Sequence, residues 1–154
     1  MKLLFVCTGN TCRSPMAEGI ARRMAAERGL TDLEIASAGI GASENSPVSD
    51  GALLVGMEQG LDLNAHRARQ LTPEMVAEAD LILVMGASHL ERVRAMGGEE
   101  KVALLTHFAS RGGIERSVSD PFGAGLEVYR RTFEELTAEV ERTLDRLAAE
   151  RRGR

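Results

Sequence analysis

The chain has 154 residues, of which 44% are hydrophobic and 27% charged, as is usual for one globular domain. Its formal net charge of −4 at pH 7 argues against nucleic acid as a partner, because no excess of Lys and Arg exists to displace counterions. No apolar run approaches a membrane span, and two cysteines are too few for a disulfide framework, so we expect a cytoplasmic protein without a membrane partner.

Apolar runs alternate with helical periods along the chain, the pattern of an α/β domain built on a parallel sheet. The first strand is predicted at residues 3–6, and the second at residues 33–39, where apolar and polar residues alternate. Between the two strands, Met16 and Ile20 lie on one face of a predicted helix that ends at Gly29.

The middle of the chain continues this alternation. Residues 39–51 form a loop by composition, and a helix follows the loop. A short helix is predicted to begin at residues 72–73, where a threonine cap precedes a proline. The continuous apolar run at residues 80–85 is typical of a central parallel strand. Ser88 and Glu91 are predicted to form a capping box for the next helix.

The last third of the chain supplies a fourth strand at residues 101–105 and a long helix. The apolar stripe of that helix recurs at intervals of three or four residues: Tyr129, Phe133, Leu136, Val140, Leu144 and Leu147. A loop at residues 117–125 precedes the helix and has an acid at its centre. We therefore expect a single domain over residues 1–154, ending in a basic tail at residues 151–154.

A loop between the first strand and the first helix carries the strongest functional signal. Cys7 follows the strand directly, and Arg13 precedes the start of the helix. Backbone N–H groups at a helix start are unpaired, so a loop that wraps this point forms a site for a tetrahedral oxyanion. Gly9 and Asn10 tolerate the backbone torsions that such a loop requires.

The chemistry predicted for this loop is attack on phosphorus by a thiolate. Arg13 offers a planar fork that can hold two phosphate oxygens, and Pro15 suits the first turn of the helix. Positive charge around Cys7 favours its thiolate form, and the Ser14 hydroxyl can donate a hydrogen bond to the sulfur. The Cys-x5-Arg pattern by itself also fits a structural cysteine, whereas a Walker phosphate loop is excluded because its glycine and lysine pattern is missing.

Four segments together resemble the low-molecular-weight protein tyrosine phosphatases. They are VCTGNTCRSPMAE at residues 6–18, SAG at residues 37–39, HRARQLT at residues 66–72 and the pair Asp120-Pro121. They span nearly the whole chain in the family's order, and their combination is highly specific. The resemblance implies a single-domain three-layer sandwich, in which helices flank a four-stranded parallel sheet. It also implies a cysteinyl-phosphate intermediate, no metal and no cofactor.

The resemblance assigns roles to the residues of the site. Cys7 is the expected nucleophile, and Asp120 is the expected acid that protonates the leaving group and later takes a proton from water. The expected phosphate-binding residues are Thr8, Gly9, Asn10, Thr11, Cys12 and Arg13. From the local sequence alone, Asp120 is also consistent with an acidic turn residue before a helix.

Polar side chains within and outside the loop are expected to support its shape. Asn10, Ser37 and His66 match family positions whose side-chain hydrogen bonds hold the phosphate loop in shape. A general base is a second hypothesis for His66, beside that of a structural histidine. His89 and His107 fit no ligand spacing and are expected at the surface or in packing contacts.

Two positions depart from the tyrosine-phosphatase pattern and bear on the substrate. Thr11 is small and polar where that pattern has Ile or Leu, and Phe122 with Gly123 stands where bulky aromatics follow the Asp-Pro pair. A phenyl ring gains from an apolar wall and stacking partners, whereas a guanidinium gains from a polar contact and free space.

CTGNTCRS with a threonine at this place resembles the bacterial protein arginine phosphatases of the family. We therefore expect a phosphatase that acts on phosphoarginine in proteins, with Thr11 and Phe122 selecting the substrate. Phosphotyrosine is the alternative substrate, and a Thr11 that merely fills the loop is the alternative role.

Two hypotheses are consistent with Cys12. A reversible disulfide between Cys7 and Cys12 would shield the nucleophile from irreversible oxidation, or Cys12 is a small residue that fits a crowded loop.

Three other classes of protein are alternatives to a phosphatase. An arsenate reductase of this architecture would need further cysteines. A phosphocarrier would not need Asp120 or Arg13 in these places. A phosphoprotein-binding module is the remaining, non-enzymatic alternative.

Overall fold

A sheet of four parallel strands with helices on both faces forms the computed structural model, which describes residues 1–153. The elements in chain order are β1 (Lys2–Cys7), α1 (Arg13–Glu27), β2 (Glu34–Gly39), α2 (Asp50–Glu58), α3 (Pro73–Glu78), β3 (Leu81–Val84), α4 (Ala87–Val93), β4 (Val102–Leu104), α5 (Leu105–Ala109) and α6 (Leu126–Arg152). The strand order is β2-β1-β3-β4, and the predicted α/β sandwich is confirmed.

Strand β1 lies in the middle of the sheet and is buried on both faces. Leu3 and Phe5 pack on one face into a core that α1, α2 and α6 share. Leu4 and Val6 pack on the other face against a second core, which includes Val76 of α3 and residues of β3. A strand covered on both sides needs apolar residues without alternation, which explains the continuous apolar run before Cys7.

Helix α6 follows the predicted apolar stripe, since all six residues of that stripe are buried. The prediction of a basic tail is wrong for its first two residues, because α6 continues through Arg152. Arg151 pairs with Asp32 across the surface, which ties the end of the helix to the body of the protein. Arg154 lies outside the described residues. No helix within residues 1–153 has both the length and the apolar character needed to span a membrane.

Two local predictions are wrong. Ser88 and Glu91 form no capping box, because α4 begins at Ala87 with Gly86 as its N-cap residue, so Ser88 already lies inside the helix. Glu91 pairs instead with Arg94 at 2.9 Å. The fourth strand ends one residue earlier than predicted, and Leu105 begins the short helix α5, which the sequence analysis did not predict.

The carboxyl ends of the parallel strands meet at one edge of the sheet. Cys7 ends β1 at this edge, and Met85 follows β3 beside it, where its N–H donates to Val6 O at 3.1 Å. The N–H of Val118 donates to Met85 O at 2.8 Å, which brings the loop before α6 to the same edge. Ligands bind at this edge in open α/β sheets, and the candidate site lies here.

Candidate active site

The phosphate-binding loop, residues 7–13, connects β1 to α1. No side chain among residues 1–153 caps the N-terminus of α1, so its first N–H groups have no side-chain partner. The helix macrodipole adds partial positive charge at this point. The loop is therefore built to bind an anion with its backbone.

The sulfur of Cys7 lies within hydrogen-bond distance of a serine hydroxyl that is placed to donate to it. Cys7 is buried, and its Sγ lies 2.8 Å from Ser14 Oγ. The amide of Asn10 donates to Ser14 Oγ at 2.8 Å, which leaves the Ser14 hydroxyl hydrogen for the sulfur. The same amide donates to Ser37 Oγ at 2.9 Å, and Ser37 in turn donates to Glu18 Oε1 at 2.6 Å. A hydrogen bond donated to sulfur favours the charged thiolate.

Asn10 fixes the shape of the loop from inside. Its φ of 57° lies in the left-handed region, and its side chain is fully buried. Its Oδ1 accepts the N–H of Arg69 at 2.9 Å, and its carbonyl oxygen lies 2.9 Å from His66 Nε2. A carbonyl only accepts, so His66 Nε2 carries the hydrogen and has no lone pair for base catalysis. The contact favours the structural hypothesis for His66.

Strand β2 reaches the loop closely enough to require glycine. A Cβ at Gly39 would lie 2.4 Å from the carbonyl oxygen of Thr8 and 2.9 Å from the Asn10 nitrogen. The loop backbone also receives N–H groups from this side, since Ile40 donates to Cys7 O at 3.0 Å. The SAG segment supports the loop through Ser37 and through the close approach of Gly39, and the next residue, Ile40, adds a backbone hydrogen bond.

Arg13 joins the phosphate-binding loop to the acid loop, residues 117–125. Its side chain is 8% exposed, and Nη1 donates to Val118 O at 3.0 Å. Its Nη2 lies 3.6 Å from Asp120 Oδ2. The Asp120 side chain is 51% exposed, and Oδ1 accepts the N–H of Phe122 at 3.1 Å. A cation and a carboxylate thus face each other at the mouth of the loop.

A pocket of about 180 Å³ brings the predicted site residues together. Its lining residues are Cys7, Thr8, Gly9, Thr11, Cys12, Arg13, Asp120 and Phe122. Phe122 stands at the rim, with 71% of its surface exposed. The other predicted residues do not line the pocket: Ser14, Ser37 and His66 form hydrogen bonds to Asn10, which holds the loop from inside.

Cys12 contacts the N-cap residue of α2 and a residue of α6. Its Sγ lies 3.1 Å from Ser49 Oγ and 3.4 Å from the hydroxyl of Tyr129, which donates to Ser49 Oγ at 3.1 Å. Burial and the hydrogen bond with Cys12 raise the pKa of Tyr129 to about 12, so the phenol stays protonated. Both cysteines are free thiols, and the disulfide between Cys7 and Cys12 stays a prediction.

His89 is a part of the site that sequence reasoning missed. It is 2% exposed, and its Nε2 lies 2.9 Å from Thr8 Oγ1. Burial, together with the nearby charge of Arg13, lowers the pKa of His89 to about 4, so the ring is neutral at pH 7. The available signal is its position just after β3, because residues at this point lie at the edge of the sheet that also holds Cys7.

We expect the neutral state of His89 to make folding sensitive to mild acid. As the pH falls from about 6.5 to about 4, the unfolded chain takes up a proton at His89 that the folded chain does not. The contribution of His89 to the free energy of unfolding is therefore complete above about pH 6.5 and decreases as the pH falls below that value. Denaturant unfolding at several pH values should show a weaker pH dependence in His89→Gln than in the wild type.

The matched control for this measurement is His107→Gln, since His107 has a 40% exposed side chain and lies away from the loop. The control should keep the wild-type dependence on pH. A His89→Gln curve parallel to that of the wild type would contradict a neutral, buried His89.

The fold and the site together define the class of protein: the chain is a cysteine-dependent phosphatase. The model of the family described as "Low molecular weight phosphotyrosine protein phosphatase" matches residues 2–153, and the chain belongs to this family.

Some relatives in the family are named arginine phosphatases, and others are named tyrosine phosphatases. The protein-arginine-phosphatase of Geobacillus stearothermophilus is 37% identical over 151 residues, 97% of each chain. A structure of the YwlE arginine phosphatase, a C7S mutant with a phosphorylated active site serine, is 35% identical, covers 99% of both chains and has a TM-score of 0.92. The low molecular weight protein tyrosine phosphatase from T. tengcongensis is 41% identical, with a TM-score of 0.87 over 95% of this chain and 99% of that chain.

Proposed function

We propose that the chain hydrolyses phosphoarginine on protein substrates in the cytoplasm, through a cysteinyl-phosphate intermediate. Family membership supports the phosphatase reaction, and relatives that are named arginine phosphatases support the substrate. The single observation that carries the choice of substrate is Thr11, whose small polar side chain lines the pocket over Cys7. A hydroxyl group in that wall suits a hydrogen-bonding guanidinium better than a phenyl ring.

In the first step, the thiolate of Cys7 attacks phosphorus, and the S–P bond forms as the P–N bond breaks. The loop N–H groups and the guanidinium of Arg13 hold the phosphoryl oxygens, whose negative charge matches theirs. Asp120, which lines the same pocket beside Arg13, delivers its proton to the departing nitrogen, because a guanidine leaves better in its protonated form. The leaving arginine side chain then carries the proton away.

In the second step, water attacks the phosphorus of the cysteinyl phosphate. Asp120, now ionised, takes a proton from that water and returns to its starting form. The S–P bond breaks, inorganic phosphate leaves, and the hydrogen bond from Ser14 at 2.8 Å stabilises the thiolate that forms again. The cycle consumes one water and needs no external oxidant or reductant.

The test is a comparison of kcat/KM on phosphoarginine and phosphotyrosine peptides of matched sequence. We expect the wild type to prefer phosphoarginine, and Thr11→Ile to change the ratio of the two values towards phosphotyrosine by at least about tenfold. The added apolar bulk removes the polar contact and narrows the pocket where the guanidinium lies. Thr11→Val is the matched variant, since it removes the hydroxyl with little change in volume.

The two variants separate polarity from size as the cause of selection. A change in the ratio in both variants assigns selection to the hydroxyl, and a change in Thr11→Ile alone assigns it to the space. Unchanged ratios in both would remove Thr11 as the selecting residue. A wild type that prefers phosphotyrosine would refute the proposed substrate while leaving the phosphatase reaction intact.

Phosphotyrosine is the second candidate, and one observation favours it. Phe122 lines the pocket at its rim and is 71% exposed, so its ring is free to stack on a phenyl group. The peptide comparison decides between the two substrates, because it gives one value of kcat/KM for phosphoarginine and one for phosphotyrosine.

A further inference from the structure

Arg116 holds the start of the acid loop although it takes no part in the proposed chemistry. Its backbone pairs twice with Thr106 of α5, whose Oγ1 donates to Arg116 O at 2.5 Å and accepts the Arg116 N–H at 3.2 Å. Thr106 is 1% exposed, so this pair of bonds is shielded from water. The backbone at Arg116 is thereby fixed against a helix.

The guanidinium of Arg116 binds two carboxylates of α6. Its Nη1 lies 3.1 Å from Glu135 Oε2, and its Nη2 lies 3.3 Å from Glu139 Oε1. The Glu139 side chain is 5% exposed, and burial of a charged group is costly unless the group is paired. Arg142 also contacts Glu139 Oε1, at 2.9 Å, from within α6. Because Arg142 lies in the same helix as Glu139, only Arg116 of these two arginines connects Glu139 to the start of the acid loop.

The position of Arg116 bears directly on Asp120. Four residues along the chain span at most about 14 Å, so a fixed Arg116 limits where Asp120 can lie. Val118, midway between them, is 1% exposed, donates to Met85 O and accepts from Arg13. The Asp120 side chain is half exposed, and its Oδ1 accepts the N–H of Phe122 in the same loop, so its orientation depends on where this backbone is held.

We propose that Arg116 is a positioning residue for the general acid: by binding Glu135 and Glu139 of α6, it holds the acid loop so that Asp120 faces the leaving group over Cys7. The proposal rests on the phosphatase mechanism above, in which Asp120 protonates the leaving group. Exposed ion pairs contribute little to stability, and the Arg116 side chain is 44% exposed, so we expect its main effect on catalysis.

The test measures how the rate depends on the leaving group. For Arg116→Met, kcat/KM on phenyl phosphate should fall about tenfold or more, because small displacements of a catalytic group are costly. The loss on p-nitrophenyl phosphate should be much smaller, since p-nitrophenolate leaves with little need of a proton. Arg116→Lys should recover part of the activity on phenyl phosphate, because it restores a cation beside Glu139.

Arg142→Met is the matched control. It removes the other cation from Glu139 but touches no residue of the acid loop, so the ratio of the two rates should stay at the wild-type value. Hydrogen exchange supplies a second readout that is independent of activity. The amides of Arg116 and Val118, which donate to Thr106 Oγ1 and Met85 O, should exchange faster in Arg116→Met and keep their wild-type rates in Arg142→Met.

The proposal would be overturned by an equal loss on both aryl phosphates, by the same leaving-group dependence in Arg142→Met, or by unchanged exchange at the amides of Arg116 and Val118. A variant that exchanges faster but keeps the wild-type leaving-group dependence would also overturn it, because the loop would then be held without effect on the acid. A wild type that hydrolyses aryl phosphates but not phosphoarginine peptides would refute the proposed substrate, and the leaving-group series would still decide the role of Arg116.

Discussion

Serine in place of Cys7 should lower phosphate release from p-nitrophenyl phosphate by roughly 10⁴-fold or more, the scale on which loss of a nucleophile acts in other covalent enzymes. The sulfur of Cys7 lies at the start of α1, whose first N–H groups have no side-chain cap, and 2.8 Å from the Ser14 hydroxyl. An alcohol is far less acidic than a thiol and stays protonated in the same surroundings. Any phosphoryl group that reaches the introduced serine should leave slowly, because an alkoxide is a poorer leaving group than a thiolate.

Cys12→Ser is the matched control, since it changes the other thiol of the same loop. It should retain most of the turnover, because the Cys12 sulfur contacts Ser49 and Tyr129 rather than Ser14. Near-wild-type release by Cys7→Ser would contradict the nucleophile. A wild type that accumulates stable phosphocysteine without releasing phosphate would instead indicate a phosphocarrier, and binding without phosphorylation would indicate a phosphoprotein-binding module.

The phosphate-binding loop could be predicted from the sequence because its parts are neighbours in the chain. A buried strand, a glycine and an asparagine, and a helix start within residues 3–15 determine the local backbone, and Asn10 takes up the expected left-handed torsion. The sheet could be predicted for a related reason, since apolar runs of strand length alternate with helical periods. Short-range patterns of this kind depend little on the rest of the fold.

Contacts between distant parts of the chain could not be derived from local patterns. Ser37 and His66 lie 27 and 56 residues from Asn10, and only the family resemblance directed attention to them before the hydrogen bonds were seen. Tyr129 was predicted as one apolar residue of a stripe, yet its hydroxyl bonds to Ser49, 80 residues away. An amphipathic pattern indicates which face is buried, but it does not indicate which polar atom will be found there.

His89 and Arg116 make contacts that local sequence patterns do not indicate. Each of them acts through a partner from another element, Thr8 for His89 and α6 carboxylates for Arg116. The wrong capping box has a similar origin, because the end of β3 and the turn at Gly86 decide where α4 begins. Tertiary context overrides local preference at such points.

Asparagine in place of Asp120 should lower kcat/KM by about 10²- to 10⁴-fold on substrates whose leaving group must be protonated. Asparagine keeps an oxygen that can accept the N–H of Phe122, which Asp120 now binds at 3.1 Å, so the loop should keep its shape. It has no proton to deliver and cannot become a base for the second step. Phosphoarginine and phenyl phosphate should therefore be affected most, and p-nitrophenyl phosphate least.

The acid role predicts a pattern across substrates and not merely a loss of activity. Removal of the negative charge opposite Arg13, 3.6 Å away, should leave phosphate binding intact or stronger, so KM should not rise. Ser119→Ala is a matched control, because it changes a neighbouring exposed polar residue without a carboxylate. Equal losses of kcat/KM on phenyl and p-nitrophenyl phosphate would show that Asp120 does not donate the proton. A selective loss on phenyl phosphate would instead show that the Asp120 carboxyl group protonates the leaving group. Asp120 lines the pocket that also contains Cys7, so it is placed to do this.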